Sequence, residues 1–323
     1  MRALQLNGPG EKFNLVEVPV PVASQGTRLI RVKSASLNHR DLWIQKGQYA
    51  NLQFPIILGS DACGVDVSNG HEREVVIYPA INWGTEQSHQ GVGFRVIGLP
   101  DQGTFAEYIC VPQENVFDKP PHLRPAEASS LPVAGLTAYR ALFTRGGIKP
   151  NDTILITGIG GGAAHMALLF AKSIGTNVFV TSGSDEKIRR AIEMGAVGGI
   201  NYNEEYWVAS LKSMSQGFDI ILDSAAGSSF NKLIDLIRPG GKLVFFGETQ
   251  GKIESIDPRK IFWNQISILG TTLGSPIDFD LMIKHVNKFN IKPVINSFHF
   301  TEINEAMELM KSTGQFGKIV LSW

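Results

Sequence analysis

Cysteine is nearly missing from this chain: among 323 residues only Cys63 and Cys110 carry a thiol. Two thiols so far apart supply neither a zinc-ribbon spacing nor a disulfide framework, and a reducing, cytoplasmic setting is the expectation. Charge imbalance is missing as well. The 30 basic and 30 acidic residues cancel, which gives no electrostatic case for a nucleic-acid partner or an anionic membrane. No apolar run reaches spanning length. The opening MRALQLNGPGEKFNLVEV alternates like a strand pair and lacks the apolar core of a signal peptide. Internal repeats and low-complexity tracts are absent too. What remains is a chain of ordinary hydrophobic content, 43%, long enough for two domains or for one with a sizeable insertion.

The most informative stretch that is present runs from Ile154 to Ser184, ILITGIGGGAAHMALLFAKSIGTNVFVTSGS. Ile154 to Thr157 form an apolar run suited to a strand buried on both faces. Gly158, Gly160, Gly161 and Gly162 follow, then an alanine-rich helical segment closed by Gly175, then a second strand over Val178–Thr181. A glycine turn between a buried strand and a helix lets backbone amides approach a pyrophosphate at the positive end of that helix. GxGxxG alone is a weak signal; inside a complete strand–helix–strand unit it gains weight.

Before this unit, residues 1–135 read as short strands and turns around one helix at Asn38–Gly47, a pattern that suggests a small barrel-like β unit. After it, strand and helix keep alternating. A helix over Asp185–Met194 has Ser184 as its N-cap and Asp185 and Glu186 at its positive end. FDIILD (218–223) is a strand, Ser229–Ile237 a helix, Pro239–Gly240–Gly241 a turn into a strand, and Ile266–Thr271 the sixth strand. The expectation is an α/β fold: a Rossmann-type, doubly wound, six-stranded parallel sheet. Helices at Phe279–Phe289 and Ile303–Ser312 and strands at Phe298–Phe300 and Lys318–Leu321 then return to the β-rich unit. The division expected is 1–135 with 273–323, and 136–272.

Several motifs in order, LNHRDLWIQKGQY (37–49), ILGSDACG (57–64), GTFAEYICVP (103–112), LPVAGLTAYRAL (131–142), the glycine turn, PGGKLVFFG (239–247) and GKIVL (317–321), give a chain that resembles the medium-chain dehydrogenase/reductase superfamily over essentially its whole length. The resemblance implies a discontinuous GroES-like catalytic domain, a nucleotide domain inserted within it, an active site in the cleft between them, and a homodimer paired through the sixth strand. It also implies catalytic zinc held by a Cys, a His and a second Cys where this chain has Asn38, Ser60 and Val133. The lobe that would carry four further cysteines, residues 80–98, contains none. No metal is assigned, although His39, Asp61 and His89 could each donate to one. The chain is then similar to the zinc-free branch, NADPH:quinone oxidoreductases and 2-enoyl reductases, whose Asn-x-x-Asp … Gly-x-Tyr arrangement is matched by Asn38, Asp41, Gly47 and Tyr49.

The reaction this implies is hydride transfer to a quinone or an α,β-unsaturated carbonyl. Tyr49 is open to two roles, proton donor or pocket wall; a phenol donates a proton and yet is neutral near pH 7. Asn38 could bond a carbonyl or the nicotinamide ribose, or cap the helix beside it, and Asp41 reads as a structural carboxylate. Cofactor-binding candidates are Thr137, Gly160, Gly161, Gly162, Ala163, Ala164, Ser182, Lys187, Tyr202 and Gly247. NAD-selective folds place an acid at the end of the second strand. Here Val180–Ser184 carries none, and Lys187 follows, which points to NADPH. The alternatives are a metal-free aldehyde or alcohol dehydrogenase and a non-catalytic NADPH-binding protein. No nucleic-acid or membrane partner is expected.

Overall fold

Six parallel strands lie in the spatial order Gly198–Asn201, Asn177–Ser182, Thr153–Ile156, Phe218–Asp223, Ile237–Phe245, Ser267–Gly270. The computed structural model describes every residue except Asn69 and His71. The central strand Thr153–Ile156 is buried throughout, with Ile154, Leu155 and Ile156 at 0% exposure; burying each such side chain stabilises by about 1.5–3 kcal/mol. Strands buried on both faces lose the polar alternation of a half-exposed sheet, which is why Ile154–Ile156 and Ile220–Leu222 are continuous apolar runs. Helix Gly162–Ser173 buries Ala164, Ala167, Phe170 and Ala171, and its small residues suit a helix lying close on a sheet. On one face Phe179, Phe218, Ile221 and Leu243 pack with Trp207, Leu211, Phe230 and Leu233.

The chain order of these strands reverses between Thr153–Ile156 and Phe218–Asp223, which are hydrogen-bonded neighbours. Doubly wound sheets bind ligands outside the carboxyl ends of the strands at such a switch point. This sheet and its helices form one compact unit, Thr137–Gly274. Met1–Leu136 with Ser275–Trp323 forms the other.

The second unit is built on β-sheets, with helices that include His39–Gln45, Pro276–Lys288 and Ile303–Lys311. A sheet of antiparallel and parallel pairs runs Val116–Asp118, Arg73–Ile77, Asp61–Asp66, Thr27–Ser36, Lys318–Ser322, Ile295–His299, with Tyr108–Pro112 also pairing Thr27–Ser36. A three-stranded sheet of Asn14–Glu17, Arg2–Leu6 and Ile56–Ile57 adds to it. Leu4, Ile30, Ile44, Leu58 and Phe105 share its core with Phe300, Met307 and Leu321 from the end of the chain. The discontinuity is therefore physical: the last strand, Lys318–Ser322, pairs antiparallel with Thr27–Ser36.

Several expected elements are corrected. Asp61–Asp66 is a fully buried strand; DACGVD lacks alternation because both its faces are covered. The helix expected at Ser229–Ile237 is only Phe230–Ile234, and the next strand starts at Ile237, running through Pro239–Gly240–Gly241 with a register shift. Pairing of Ile237 with Phe218 outweighs local turn propensity there. The helical stretch 131–146 ends in a π-helical segment, Arg140–Gly146, closed by Gly147 at φ 66°.

Candidate active site

Two sets of residues could serve chemistry, one in each unit. In Thr137–Gly274 the glycine turn follows the central strand: Gly158 has φ 62°, and its neighbour Ile159 donates its N–H to Thr181 O at 3.0 Å. Gly161 sits at the N-cap of helix Gly162–Ser173, and with no side chain there the first-turn amides are left open to an anion. Across the switch point, Thr157 Oγ1 donates to Asp223 Oδ1 at 2.6 Å. Asp223 Oδ2 accepts the N–H of Ala225 at 3.2 Å and of Ala226 at 2.7 Å. Burial pushes the Asp223 carboxyl up, and these hydrogen bonds oppose it. Gly247 lies against this turn so closely that a β-carbon would sit 2.5 Å from Ser224 O, which leaves room only for glycine. Thr137, by contrast, is buried in helix Pro132–Tyr139.

At the end of the second strand, Ser182, Gly183, Lys187 and Tyr202 come together. Tyr202 donates its N–H to Ser182 O at 3.0 Å, and its ring lies over Gly183, where a β-carbon would be 2.8 Å from the phenol oxygen. Ser182 Oγ accepts the Ser184 N–H at 3.2 Å. Ser184 caps the helix by accepting the Lys187 N–H. Of the two acids in the first turn of this helix, Asp185 is engaged by Asn201 Nδ2 at 2.8 Å and Glu186 acts on Lys187. Burial, opposed by Glu186, pulls the Lys187 ammonium below its ordinary value.

In the β-rich unit a polar cluster is built around Asp61, which is 0% exposed. Asp61 Oδ2 accepts from Ser36 Oγ at 2.7 Å, Asn38 Nδ2 at 2.9 Å and Lys318 Nζ at 3.0 Å, and Oδ1 accepts the Val133 N–H at 2.8 Å. Lys318, 4% exposed, also donates to Leu37 O at 2.6 Å and Asn38 Oδ1 at 2.7 Å. All three ammonium donors are thereby used. Next to Asp61, Ser60 Oγ donates to Ile97 O at 2.7 Å and accepts from Arg40 Nη1 at 2.7 Å. The Arg40 guanidinium lies over the ring of Tyr49, 5.4 Å from its centroid. Tyr49 itself is 40% exposed. Asp41 Oδ2 accepts the Asn38 N–H at 2.8 Å, and burial pushes its carboxyl up to about 6 against the pull of Arg40.

Comparison with known proteins now decides the family. The family described as "Alcohol dehydrogenase GroES-like domain" matches residues 24–121, and "Zinc-binding dehydrogenase" matches residues 162–288. A zinc-type alcohol dehydrogenase-like protein of Leptosphaeria maculans is 33% identical, the match covering 96% of this chain and 94% of that protein. One from Schizosaccharomyces pombe is 30% identical, over 94% and 93%. The chain belongs to the medium-chain dehydrogenase/reductase superfamily. A crystal structure of an NAD-dependent alcohol dehydrogenase superposes with TM-score 0.93 at 29% identity, covering all of both chains. The protein is thus an oxidoreductase with a Rossmann-type and a GroES-like domain.

Zinc is part of the family's description, so the donor set of this dehydrogenase has to be tested for it. The positions that would hold the ion are an amide whose oxygen faces an ammonium, a hydroxyl engaged by Ile97 and Arg40, and a valine. They do not fit a zinc ion, which needs thiolate, imidazole or carboxylate donors. His39 is exposed, and His89 is exposed and bonded to Ser88. Among the described residues no three His, Cys, Asp or Glu side chains gather as a metal site.

Sequence reasoning placed Asn38, Asp41 and Tyr49 in one unit and Gly160–Ala164, Ser182, Lys187, Tyr202 and Gly247 in the other. It missed Lys318 and gave Asp61 no central role. One signal was available: a lysine opening the apolar run Lys318–Leu321 needs a partner once that strand is buried. Asn38 stands at the N-cap of helix His39–Gln45, yet its side chain is turned to Asp61 and Lys318 instead. His165, an unexpected polar residue in its helix, is 0% exposed, and burial holds its imidazole down at about 4, so it packs as a neutral ring.

Proposed function

We propose that this dehydrogenase is a zinc-independent, NADPH-dependent reductase of quinones or α,β-unsaturated carbonyls. The observation that carries the proposal is the Asp61–Lys318 cluster: the residues at all three zinc-ligand positions are of the wrong chemistry, and Asn38 is bonded to both members of the pair. The Asn38-x-x-Asp41 … Gly47-x-Tyr49 arrangement supports the choice of acceptor. Bound NADPH supplies the hydride. Gly160–Ala164 would hold its pyrophosphate at the helix N-terminus, Gly247 would admit the cofactor beside Ser224, and Thr137 is assigned to the nicotinamide end by family resemblance. For the 2′-phosphate, Gly183 beneath Tyr202 and the half-buried Lys187 form the cradle; of the two acids beside it, Asp185 is bonded to Asn201 and Glu186 acts on Lys187. A phosphate there would relieve the penalty on the Lys187 ammonium.

On the acceptor side, Asn38 has one amide N–H unspent and offers it to the acceptor oxygen. Tyr49, exposed beside Arg40, delivers the proton. NADPH oxidation measured with a quinone, an enone, an enoyl thioester and an aldehyde tests the reading, and no turnover with the first three would sink it. Tyr49→Phe then separates acid from wall: a fall in kcat of about 10²-fold or more is expected for an acid, an unchanged kcat for a wall.

A second reading, a metal-free alcohol or aldehyde dehydrogenase, draws on the names of the relatives in Leptosphaeria maculans and Schizosaccharomyces pombe. Activity restricted to alcohols or aldehydes would bring it forward. We also propose a homodimer. Strand Ser267–Gly270 ends the sheet, and Phe262 and Trp263, 66% and 78% exposed, lie just before it; an apolar edge left bare would invite aggregation. Sedimentation at micromolar concentration as a single monomeric species would overturn this.

A further inference from the structure

We infer that Lys318, with Asp61, is a positioning residue that fixes the orientation of the Asn38 amide, and so decides which atom that side chain presents to the acceptor. The inference rests on the reductase reading above, in which Asn38 donates to the acceptor oxygen.

An asparagine side chain can occupy one shape in two ways, because a half-turn exchanges its oxygen and nitrogen. At Asn38 the exchange is prohibited by charge. Oδ1 accepts from the Lys318 ammonium at 2.7 Å, and Nδ2 donates to the Asp61 carboxylate at 2.9 Å. After a half-turn the NH₂ group would face the ammonium and the oxygen would face the carboxylate. Two charge-assisted hydrogen bonds would then become two repulsions.

The pair is itself immobile. Lys318 spends its remaining two N–H groups on Leu37 O and Asp61 Oδ2, and Asp61 also holds Ser36 Oγ and the Val133 N–H. Both charges are buried, and they arrive from strands far apart in sequence, Asp61–Asp66 and Lys318–Ser322. Nδ2 has two N–H groups and spends one on Asp61, so the other is left as the donor. A buried ion pair is a poor source of stability but a good source of uniqueness. Here the uniqueness is the direction of one N–H.

A thermodynamic cycle on turnover tests this. Asn38→Ala is expected to lower kcat about 100-fold, the usual effect of deleting one preorganised donor. Asp61→Asn/Lys318→Met removes both charges together, so no uncompensated charge is buried; it should lower kcat at least about tenfold with Kd for NADPH unchanged. The triple variant should be no slower than Asn38→Ala alone, because the pair acts through Asn38. Losses that multiply in the triple variant would overturn the inference. So would an unaltered kcat in the charge-free double variant, or in Asn38→Ala.

If the parent turns over none of the acceptors, the reductase reading fails and the positioning is read without turnover, from the side-chain amide signals of asparagine-labelled protein by NMR. A well-dispersed, exchange-protected Asn38 pair that collapses to solvent-like shifts in Asp61→Asn/Lys318→Met supports the lock. A pair already solvent-like in the parent overturns it.

Discussion

Between Gly158 and Gly247 the candidate binding groups are backbone atoms exposed by glycines, whereas around Asp61 they are side chains gathered from residues 36–41, 60–61, 133 and 318. The glycine turn needs only a strand before it and a helix after it. The Asp61 cluster needs the ends of the chain to be paired, since Lys318 lies on a strand that hydrogen-bonds to Thr27–Ser36. A site of the first kind loses affinity when a side chain is added. A site of the second kind loses stability when one is removed.

Removing Lys318 alone should therefore give the largest effect on folding. Lys318→Met leaves the Asp61 carboxylate buried without its cation, which costs about 3–5 kcal/mol. This is read as a fall in the urea midpoint of the β-rich unit. Asp61→Asn/Lys318→Met should recover most of it. A loss below about 1 kcal/mol in the single variant would mean that solvent replaces the ammonium, and the contrast between the two units would weaken.

Two fully buried groups, one in each unit, respond to acid in opposite senses. In the sheet unit His165 is held at about 4, below its ordinary 6.5. The unfolded chain then takes up the proton first, so stability is lost as pH falls from about 6.5 towards 4, by up to about 3 kcal/mol. In the β-rich unit Asp41 is held at about 6, above its ordinary 3.8. There the folded form takes up the proton first, so stability is gained as pH falls through about 6 and is lost as pH rises through it. His285, in the β-rich unit, is also held at about 4 by burial, so that unit carries both trends and substitution separates them. The loss of stability in acid should be smaller in His165→Leu than in the parent, and larger in Asp41→Asn, which removes an opposing gain. Hydrogen-exchange protection compared between parent and variant from pH 7 to pH 4.5 reads both. A pH dependence unaltered by either substitution would refute these assignments.

Legibility in the sequence divides along the same line. TILI, the glycine turn, Ser184 and FDIILD could be read because period, caps and turns are encoded within a dozen residues. Strand Phe218–Asp223 falls where the sequence puts it. Asp61–Asp66 escaped because full burial erases alternation, and the helix at Phe230–Ile234 was read too long because the pairing of Ile237 with Phe218 is not local. At the candidate site, the replaced ligand positions Asn38, Ser60 and Val133 were visible one by one. Their common attachment to the Asp61 region was not, since Lys318 lies 257 residues from Asp61.

Lys187→Ala tests whether the sheet unit reads the 2′-phosphate through a side chain as well. Loss of one charge-assisted contact should raise Kd for NADPH about tenfold, or about 1.4 kcal/mol, with Kd for NADH unchanged. Equal weakening of both cofactors would assign Lys187 to general electrostatics and leave selection to Ser182, Gly183 and Tyr202.

The same helix position is used differently in the two units. Ser184 and Asn38 both stand at an N-cap. Ser184 Oγ accepts the Lys187 N–H, at a long 3.5 Å, so Ser184→Ala should cost about 0.5–1 kcal/mol, the low part of the capping range. At Asn38 the amide is diverted to Asp61 and Lys318, and it is the Asp41 carboxylate that ties the first turn to the Asn38 N–H. Asn38→Ala should then leave amide protection in helix His39–Gln45 nearly unaltered while it damages turnover. Fraying of that helix in Asn38→Ala, to the degree seen after Ser184→Ala, would show that the side chain caps after all and that its bonds to the ion pair are secondary.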